Sequence, residues 1–513
     1  MLMTEYRSYE EAVENFAIDQ IWELFDGAPE NFNIAHECID RHKGKGTAVR
    51  IKFEDGHTEQ YTFSDLSRLT SRFANALESL GIDSGDRVAI MLDPCLEFYV
   101  SLFGTMKRGA IVVPCFLGFG PEALEHRIKD SGAKVLITTE DKKRLIERQL
   151  LQHLIPVGPD FNRLLENHKE EYQTKTIAKD VAVLQYTSGA TRKFPEAIKH
   201  YHKSVPLLSP AAIFGRGLKP GDRYFVPSSP AWGHGLWHGT TAPLALGIAA
   251  GSYSGKFDVR RLLEGLEEFQ INNFGAAPTV YRMIKNSGLI DRYTLKINKM
   301  HYTGEPMDTD TFNYFKEKFG VPPHSGYGST EVGAVIYQYA GFDNWVVKPG
   351  SLGKPMPGLE VKLIDEQENE VPQGKIGEIA VRRRGRWVRT RDAAVMDEDG
   401  YFWHKGRVDD IIISAGWTIS PTEVEDILQK HPAVRETAVI GVADSERGAI
   451  VKAFIVTSVN PGAELKKELQ EFVRNRLSRH EYPREIEFVE TLPKTEGGKI
   501  NKKELKERKA GGL

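Results

Sequence analysis

The stretch Arg87-Val-Ala-Ile-Met-Leu92 is a short apolar run that indicates a buried strand. A helical pattern follows from Phe98 to Lys107, and Ala110-Ile-Val-Val-Pro114 is a second apolar run. Strand–helix–strand units of this length predict a parallel sheet that is covered by helices. This part of the chain therefore predicts an α/β fold.

The same alternation extends outward from this stretch. Upstream, we expect an amphipathic helix that is capped by Ser64 and stopped by Gly81. Downstream of about Gly350, Leu359–Ile364 and Gly377–Arg382 alternate in polarity, as strands of a small antiparallel barrel or sandwich do. The predicted fold class is α/β, with a large N-terminal domain of αβ subdomains plus a small β-barrel, followed by a small α+β C-terminal domain.

Composition and charge exclude several classes of protein. The chain has 513 residues, of which 40% are hydrophobic, so it can build large cores. Its 68 basic and 71 acidic residues nearly balance, which argues against a global nucleic-acid or membrane-surface footprint but leaves room for a local basic patch. The three scattered cysteines form no disulfide framework, and we find neither a secretory signal nor a membrane-spanning run. We expect a cytoplasmic monomer or homodimer that binds no nucleic acid.

The first segment whose residues could take part in binding or catalysis follows an apolar strand, Val181 to Leu184. It runs Gln185-Tyr-Thr-Ser-Gly-Ala-Thr-Arg-Lys-Phe-Pro-Glu-Ala-Ile-Lys199 and combines hydroxyls, one glycine and three cations. Hydroxyls and backbone N–H groups after a strand can cradle phosphate oxygens, with Lys or Arg as counter-charge. The Walker A pattern is absent. Taken alone, the segment fits both a plain turn and a phosphate site.

A second segment, Ser325-Gly-Tyr-Gly-Ser-Thr-Glu331, combines two glycines with a hydroxyl beside a carboxylate. The glycines allow a ligand to approach the backbone closely, and Mg²⁺ prefers carboxylate and phosphate oxygens. A glycine-rich turn is the alternative interpretation. Together with Thr303-Gly-Glu-Pro306 upstream, the pattern favours a magnesium–phosphate site.

Two further segments lie toward the C-terminus. Asp392 and Arg407 are side chains of the kind that hold a ribose diol. Asp409-Asp410 lies where the sequence pattern changes between the large unit and the small C-terminal unit, as is expected of an interdomain hinge. Leu492-Pro-Lys-Thr-Glu-Gly-Gly-Lys499 presents a lysine on a Gly-Gly turn, although in isolation such a lysine is usually a solvated surface residue.

In this order and spacing, the four segments resemble the adenylate-forming superfamily of acyl-CoA synthetases, peptide-synthetase adenylation domains and luciferases. The resemblance covers nearly the whole chain. Within the superfamily, the chain is most similar to the acetyl-, medium-chain and aryl-CoA synthetase branch. It implies an N-terminal domain, residues 1–408, and a mobile C-terminal domain, residues 409–513, with the hinge at Asp409.

The resemblance implies a two-step reaction with ATP and coenzyme A as substrates and Mg²⁺ as cofactor. A carboxylate attacks the α-phosphorus of ATP to give an acyl-adenylate and pyrophosphate, and the CoA thiol then displaces AMP. Lys499 would bridge the acid and the α-phosphate, Thr330 would contact that phosphate, and Glu331 would bind Mg²⁺. The other implied nucleotide contacts are Thr187, Ser188, Gly189, Thr191, Arg192 and Lys193 for the β- and γ-phosphates, Gly304, Glu305 and Pro306 for the adenine, Tyr327, and Asp392 with Arg407 for the ribose.

The resemblance also implies where the acid and the thiol bind. Trp232, Gly233 and His234 match the acyl and pantetheine wall, although core packing explains Trp232 equally well. Gly328 stands where acetate-specific relatives carry a Trp, so we expect an acid larger than acetate: medium-chain, branched or aryl. In the second step, the segment Ala415-Gly416 should face the active site and leave room for the pantetheine arm.

The phosphate loop departs from the family pattern TSGTTGxPKG. Arg192 replaces the second glycine, and Pro195-Glu196 replaces Pro-Lys. The cation that meets pyrophosphate is therefore Arg192, Lys193 or Lys199. The other departures, at Arg391, Thr418 and Lys502, remove no group that the reaction needs.

Two other functions fit the same family. The chain could load a carrier-protein thiol instead of CoA, or it could be a non-catalytic relative that binds nucleotide or acyl ligand as a sensor. The joint presence of Lys499, Glu331 and Asp392 argues against the sensor. A luciferase-like oxidation has no support in the sequence.

Overall fold

The computed structural model describes residues 2–186, 197–329, 332–383, 385–414, 417–444, 447–477, 481–494 and 500–510. The chain forms two compact units. The first comprises Met1–Tyr327, Tyr337–Pro349 and Met356–Gly358, and the second comprises Gly328–Ile336, Gly350–Pro355 and Leu359–Leu513. Parallel sheets with helices and smaller antiparallel sheets are both present, which confirms the mixed α/β class.

The first sheet of the first unit is parallel except at one edge. Its strand Arg87–Met91 buries Val88 and Ile90 in one core and Ala89 and Met91 in another, because successive side chains point to opposite faces. This two-sided burial explains the uninterrupted apolar run. The six strands, in spatial order, are His153–Pro156, Val135–Thr138, Arg87–Met91, Ile111–Pro114, Val181–Tyr186 and Ala197–Tyr201, of which the last is antiparallel.

The second sheet of this unit is also mainly parallel. Its strands bury a core that includes Phe225, Phe274 and Met300. Within the unit, the order is Pro323–Ser329, Lys299–Thr303, Asn273–Ala276, Arg223–Phe225, Ala249–Tyr253, Thr47–Lys52 and Thr58–Thr62, of which the last is antiparallel.

Helices cover these sheets, and two segments of the first unit are π-helical. The α-helices are Tyr9–Asn15, Ile34–Cys38, Phe63–Ser79, Leu96–Arg108, Pro121–Ser131, Pro159–Leu165, Ser204–Pro210, Ala242–Ala245, Val259–Glu268, Pro278–Ser287 and Thr309–Phe319. The π-helical segments are Ala211–Gly215 and His234–Thr241. No helix in the described ranges is long and apolar enough to cross a membrane.

The helix that we expected to be capped by Ser64 begins earlier. Thr62 is its cap: the Asp65 N–H donates to the Thr62 hydroxyl at 3.0 Å, and the Thr62 N–H donates to the Asp65 carboxylate at 3.1 Å. This reciprocal capping box starts the helix at Phe63, whose side chain is buried. The helix ends at Ser79, close to the expected stop.

Among the described residues, the second unit contains mainly antiparallel strands and three α-helices. The region expected to form a barrel or sandwich is a four-stranded antiparallel sheet of Val361–Ile364, Gly377–Arg383, Arg386–Met396 and Phe402–Arg407. The other strands are Gly333–Tyr337, Lys354–Pro355, Ile412–Ser414, Trp417–Ile419, Val434–Asp444, Gly448–Thr457 and Glu485–Phe488, and the helices are Pro421–Leu428, Ala463–Arg474 and Lys502–Ala510.

The expected domain boundary at residues 408 and 409 lies inside the second unit. The sheet of residues 361–407 joins this unit through contacts such as Ser420, whose hydroxyl donates to the Lys405 carbonyl at 2.6 Å. Compactness and mobility are different criteria, so a hinge at Asp409 stays a prediction about movement.

Candidate active site

Two expected nucleotide segments meet at one edge of the second sheet. Thr303 pairs with Gly326 of the neighbouring parallel strand, and the Thr303 hydroxyl donates to the Gly326 carbonyl at 2.7 Å. Gly304 directly follows the first strand, and Tyr327 follows Gly326. Ligands of open parallel sheets bind at the carboxyl ends of the strands. The structure therefore brings Gly304 and Tyr327 together where a nucleotide is expected.

Glu305 holds the turn that follows Gly304. The Thr279 N–H donates to Glu305 Oε1 at 2.8 Å, at the first turn of the helix Pro278–Ser287, and Arg282 Nη2 donates to the same oxygen at 3.1 Å. A carboxylate at a helix N-terminus is stabilised by free N–H groups and by the helix dipole. Glu305 thus fixes the backbone of the expected adenine segment, which continues into Pro306.

Gly328 is a glycine for a steric reason that the sequence does not reveal. A Cβ at this position would lie 2.4 Å from the Gly333 carbonyl oxygen and 2.7 Å from Ala334 Cα. Both atoms belong to backbone, so a side chain here requires the strand Gly333–Tyr337 to shift. The absence of a bulky residue at 328 fits an open acyl pocket, and it also fits this close approach of two backbone segments.

Asp392 and Arg407, the expected ribose contacts, form a pair in the four-stranded sheet. They are opposite each other in register, and Arg407 Nη1 donates to Asp392 Oδ1 at 3.1 Å. The Asp392 side chain is 12% exposed and that of Arg407 is 44% exposed, so the carboxylate is held inside while the guanidinium reaches the surface. Arg407 Nη1 also donates to the Thr390 carbonyl at 3.2 Å.

A local distortion of the backbone positions Asp392. The preceding residue, Arg391, has a φ of +62°, which is rare for a non-glycine residue. The Arg391 N–H donates to Glu378 Oε1 at 2.7 Å, and Arg389 Nε donates to Glu378 Oε2 at 2.7 Å. Glu378 is 6% exposed. Its buried carboxylate therefore anchors the strained residue next to Asp392, a role that the sequence analysis missed.

The expected hinge residue contacts the last helix of the chain. Asp409 lies in the 3₁₀ turn Val408–Asp410, and Lys506 Nζ donates to its carbonyl oxygen at 3.1 Å. The same ammonium lies 2.7 Å from Asp410 Oδ1. Lys506 therefore ties the helix Lys502–Ala510 to the predicted hinge.

The expected acyl wall lies at the start of the second π-helical segment. The Trp232 ring lies 5.9 Å from that of Phe116, and both rings are partly exposed. A Cβ on Gly233 would make only ordinary contacts, at 3.6 Å from Gln185 Oε1. His234 Nδ1 lies 2.9 Å from the Ser228 hydroxyl, and burial lowers the pKa of His234 to about 3, with Arg216 as the next cause. The wall is therefore aromatic and polar but, on the side of His234, uncharged at neutral pH.

Part of the expected site lies outside the described residues. These positions are Thr187, Ser188, Gly189, Thr191, Arg192, Lys193, Thr330, Glu331, Ala415, Gly416 and Lys499. Their roles stay predictions. Within the described ranges, no group of three or more His, Cys, Asp or Glu side chains could hold a metal ion.

Comparison with known proteins decides the family. The family of AMP-binding enzymes matches residues 38–388, which is more than half of the chain. The chain belongs to the AMP-binding enzyme family. The C-terminal domain of this family matches residues 423–499.

Several relatives of this AMP-binding enzyme are similar over nearly their whole length. An acetyl-coenzyme A synthetase of Bacillus subtilis is 33% identical, over 92% of this chain and 90% of its own. The mitochondrial acyl-coenzyme A synthetase ACSM3 of Mus musculus is 30% identical, over 98% of this chain and 93% of its own. The solved structure of an anthranilate CoA ligase in complex with anthranoyl-AMP is 29% identical, covers 95% of this chain and 98% of its own, and has a TM-score of 0.84.

These findings confirm the predicted superfamily and its acyl-CoA synthetase branch. They also confirm the predicted enzyme class, an AMP-forming acid–thiol ligase. The relatives carry different acids in their names, so they leave the acid that this chain uses open.

Sequence reasoning missed Arg216 and His238, which lie near His234 of the expected acyl wall, and His324, which is paired in register with His301. A single His or Arg in an apolar segment has the same local pattern as a residue of the core. The only sequence signal is the spacing of His234 and His238, and that spacing places them on one face only once the helix is known.

Proposed function

We propose that this AMP-binding enzyme is an ATP-dependent acid–CoA ligase that acts on a carboxylic acid larger than acetate. The observation that supports it most strongly is the pairing of Thr303 with Gly326, which brings Gly304 and Tyr327 to one edge of a parallel sheet. The Asp392–Arg407 pair supplies the side chains that a ribose diol requires.

In the first step, the enzyme positions an acid against ATP. Such transfers depend on charge neutralisation and alignment more than on covalent help from the protein. Asp392 would accept hydrogen bonds from the ribose hydroxyls, and the turn held by Glu305 would fix the adenine. Lys499 would bridge the acid and the α-phosphate while the acid oxygen bonds to phosphorus and pyrophosphate leaves. Thr187, Ser188 and a cation of the same loop would hold the β- and γ-phosphates.

Glu331 and Thr330 fit a magnesium ion by their chemistry. A carboxylate and a hydroxyl are hard oxygen donors, and phosphate oxygens complete the set that Mg²⁺ prefers. When bound, the ion neutralises negative charge on the phosphates. Glu331 would hold it, and Thr330 would contact the α-phosphate.

In the second step, the thiol of CoA attacks the acyl carbonyl, a carbon–sulfur bond forms, and AMP leaves with the electrons of the broken carbon–oxygen bond. We propose that the C-terminal domain turns about Asp409 between the steps, so that Ala415 and Gly416 replace Lys499 beside the acyl-adenylate. Such a rotation would let the C-terminal domain close the same active site in two orientations, one for each half-reaction.

A variant separates the two steps. We expect Lys499→Ala to reduce pyrophosphate release by at least about 100-fold, because it removes charge stabilisation from the transition state. The same variant should convert synthetic acyl-adenylate and CoA to thioester at nearly the normal rate. Lys494→Ala is the matched control, since Lys494 lies in the same segment but pairs with Glu436 at 2.9 Å on the surface.

Equal losses in both half-reactions would remove Lys499 from the role assigned to it. A panel of carboxylic acids with ATP and CoA tests the function itself through AMP and thioester formation. Thioester formation only with a pantetheinylated carrier protein would favour the carrier-loading alternative, and nucleotide binding without turnover would favour the sensor.

The size of the acid is tested on the unaltered protein. A linear series from acetate upward should show kcat/KM rising beyond acetate. Substitution of Gly328 is a poor test, because any side chain there displaces the backbone of Gly333 and Ala334. A maximum at acetate would contradict the proposed size.

A further inference from the structure

Four histidines of the first unit form a cluster. His301 and His324 are paired in register on neighbouring parallel strands, and both strands lead to the edge where Gly304 and Tyr327 lie. His234 and His238 lie on the π-helical segment His234–Thr241, with ring centroids 6.0 Å apart. His301 is within electrostatic range of both His234 and His324. We refer to His234, His238, His301 and His324 as the histidine cluster.

The residues of the histidine cluster are desolvated without being fully closed off. His234, His238 and His324 each keep part of the side chain accessible, whereas His301 is 4% exposed. Burial nevertheless lowers the pKa of His324 to about 4 and that of His238 well below the ordinary value. We take this combination of desolvation and partial accessibility to mark an internal recess. Because His234 belongs to the expected acyl wall, the recess continues that wall.

Some ring nitrogens of the histidine cluster have unused hydrogen-bonding capacity. His238 Nδ1 and His234 Nε2 are buried, and neither has a partner among the described residues. A neutral imidazole carries one donor and one acceptor. Leaving such a group desolvated and unpaired costs about 1–3 kcal/mol of stability, so these nitrogens favour a hydrogen-bonding partner that enters the recess. By contrast, His301 Nε2 lies 2.9 Å from the Tyr224 hydroxyl.

The backbone around the recess is unusual in the same place. In His234–Thr241 the Ala242 N–H donates to the Trp237 carbonyl, five residues back. The other π-helical segment, Ala211–Gly215, closes with the Arg216 N–H on the Ala211 carbonyl at 3.0 Å. π-helical turns are rare and occur frequently at functional sites. His234 and His238 lie on the first of these segments, and Arg216 directly follows the second.

Arg216 adds a buried positive charge. Its side chain is 2% exposed, and Nη1 donates to the Tyr337 hydroxyl and to the Ala211 carbonyl, both at 3.3 Å. Among the described residues, no carboxylate pairs with it, and its Nε is buried without a partner. After burial, Arg216 is the next cause that lowers the pKa of His234, His238 and His301, so its charge acts on three of the four members of the histidine cluster. A buried guanidinium without a counter-charge favours an electron-rich ligand.

We propose that this recess recognises a hydrogen-bond-accepting substituent on the acyl group, with His238 and Arg216 as the specificity-determining residues. The inference rests on the proposed acid–CoA ligase function and deepens it. The substrate class is then a carboxylic acid with a second polar group, such as a hydroxyl, a carbonyl or a second carboxylate. Unsubstituted alkyl and aryl acids leave the imidazole and guanidinium groups unpaired.

The selectivity follows from the polar atoms of the recess that an apolar acid leaves unpaired. A site built to hydrogen-bond a substrate group discriminates strongly against analogues that lack it, because its own polar atoms then lie desolvated without partners. Water in the recess provides the alternative explanation: it would satisfy the same nitrogens without any role in selection. These two explanations predict different acid preferences.

The test compares acids that differ only in the polar group. The pairs are 4-hydroxybenzoate with 4-methylbenzoate, and 6-hydroxyhexanoate with heptanoate; adipate tests a second carboxylate. The measurement is kcat/KM for pyrophosphate release, together with acid binding by calorimetry in the presence of AMP. At least one polar acid should exceed its apolar counterpart by roughly tenfold or more. Equal values in both pairs, with adipate no better than heptanoate, would overturn the inference.

A variant assigns the preference to the recess. In His238→Leu the ratio of kcat/KM for the polar acid to that for its apolar counterpart should fall to about one. His168→Leu is the matched control, because His168 lies in the loop after the helix Pro159–Leu165 and outside the histidine cluster. His238→Gln keeps a hydrogen-bonding group and should keep part of the ratio, which covers the case in which the leucine variant does not fold. An unchanged ratio in a folded variant would overturn the assignment. Absence of pyrophosphate release with every acid would instead contradict the proposed ligase function, and calorimetry would then decide on the recess alone.

Discussion

Two polar regions of this molecule differ in how their side chains are paired. In the second unit, the Asp392 carboxylate lies 3.1 Å from Arg407 Nη1, and Glu378 fixes the strained residue beside it. In the first unit, Arg216 acts electrostatically on three members of the histidine cluster, and it has hydroxyl and carbonyl partners but, among the described residues, no carboxylate. One region is paired in advance, and the other leaves hydrogen-bonding capacity open inside the protein.

The difference separates positioning from selection. A carboxylate that is already paired keeps one position before a ligand arrives, so it suits a group that is the same in every turnover, such as a ribose. Unpaired buried nitrogens reduce stability until a ligand engages them, so they suit the part of the substrate that must be chosen. Substitutions in each region test the two halves of this contrast.

The largest effect is expected at the paired carboxylate. Asp392→Ala should lower kcat/KM for ATP by about 100-fold, since hydrogen bonds to a charged group contribute about 1.5–3 kcal/mol and Arg407 also loses its carboxylate partner. The loss should appear chiefly as a higher KM for ATP. Steady-state kinetics with varied ATP measures it.

Glu360→Gln is the control for this variant, because Glu360 pairs with Arg382 at 4.0 Å on the exposed face of the same sheet. It should leave the KM for ATP within about twofold, since exposed pairs contribute little. If Asp392→Ala changes stability but not the KM for ATP, the pair is a structural one and the contrast fails on this side.

The paired region was also the part that sequence could predict. Asp392 and Arg407 lie in one antiparallel ladder, where register places them opposite each other, and their motifs are local. The strand Arg87–Met91 was equally predictable, because two-sided burial leaves an uninterrupted apolar run. The cap of the helix Phe63–Ser79 was wrong by two residues, since Ser64 and Thr62 are both good caps and only Thr62 forms a box with Asp65.

The unpaired region was not predictable in the same way. Pattern methods use periods of 2 and 3.6 residues, and the π-helical segment His234–Thr241 follows neither. Arg216 and His324 reach the histidine cluster from distant parts of the chain, so no local motif joins them. Glu378 was missed for a related reason: its role depends on the positive φ of Arg391, and no local sequence pattern indicates that backbone conformation.

The second prediction concerns the buried charge. Arg216→Met keeps a long side chain and removes the guanidinium, so the preference for a polar acid should fall by about tenfold while apolar acids react normally. Replacing an uncompensated buried charge by an apolar side chain is often neutral or stabilising, so Tm should stay constant or rise. A fall in Tm with an unchanged acid preference would make Arg216 a structural residue.

The third prediction uses a buried histidine that has a partner. His202 is fully buried, its Nδ1 accepts from the Ile34 N–H at 3.0 Å, and burial lowers its pKa to about 3. The unfolded chain binds a proton at this residue from about pH 6.5 downward, whereas the folded chain does not until about pH 3. Stability should therefore fall as the pH drops from 6.5 toward 3, by up to about 1.4 kcal/mol per pH unit for this residue.

His202→Asn keeps an acceptor for Ile34 and removes the titration. Its Tm should be lower than that of the parent at pH 7, and the two should converge on acidification to pH 4.5. His168→Leu serves again as the control for the loss of a histidine elsewhere in the chain. Parallel curves for parent and His202→Asn would show that His202 is protonated in the folded state.

The smallest effect is expected at Lys506, a third polar site and one on the paired side of the contrast. Its ammonium lies 2.7 Å from Asp410 Oδ1 and 3.1 Å from the Asp409 carbonyl oxygen, so it restrains the predicted hinge. Exposed pairs contribute at most about 1 kcal/mol, which corresponds to about fivefold in a rate or an equilibrium. Lys506→Met should therefore change the thioester half-reaction by no more than about fivefold, and it should leave pyrophosphate release unchanged.

Lys503→Met is the matched control, because Lys503 lies on the same helix and pairs only weakly, at 3.8 Å, with Glu507. Single-turnover measurements of each half-reaction distinguish the two variants. An effect on thioester formation alone would mean that a paired side chain acts through the position of a segment, as Glu378 is inferred to act on Asp392. An equal effect on both half-reactions would place Lys506 outside the hinge movement and would restrict positioning by paired charges to the ribose region.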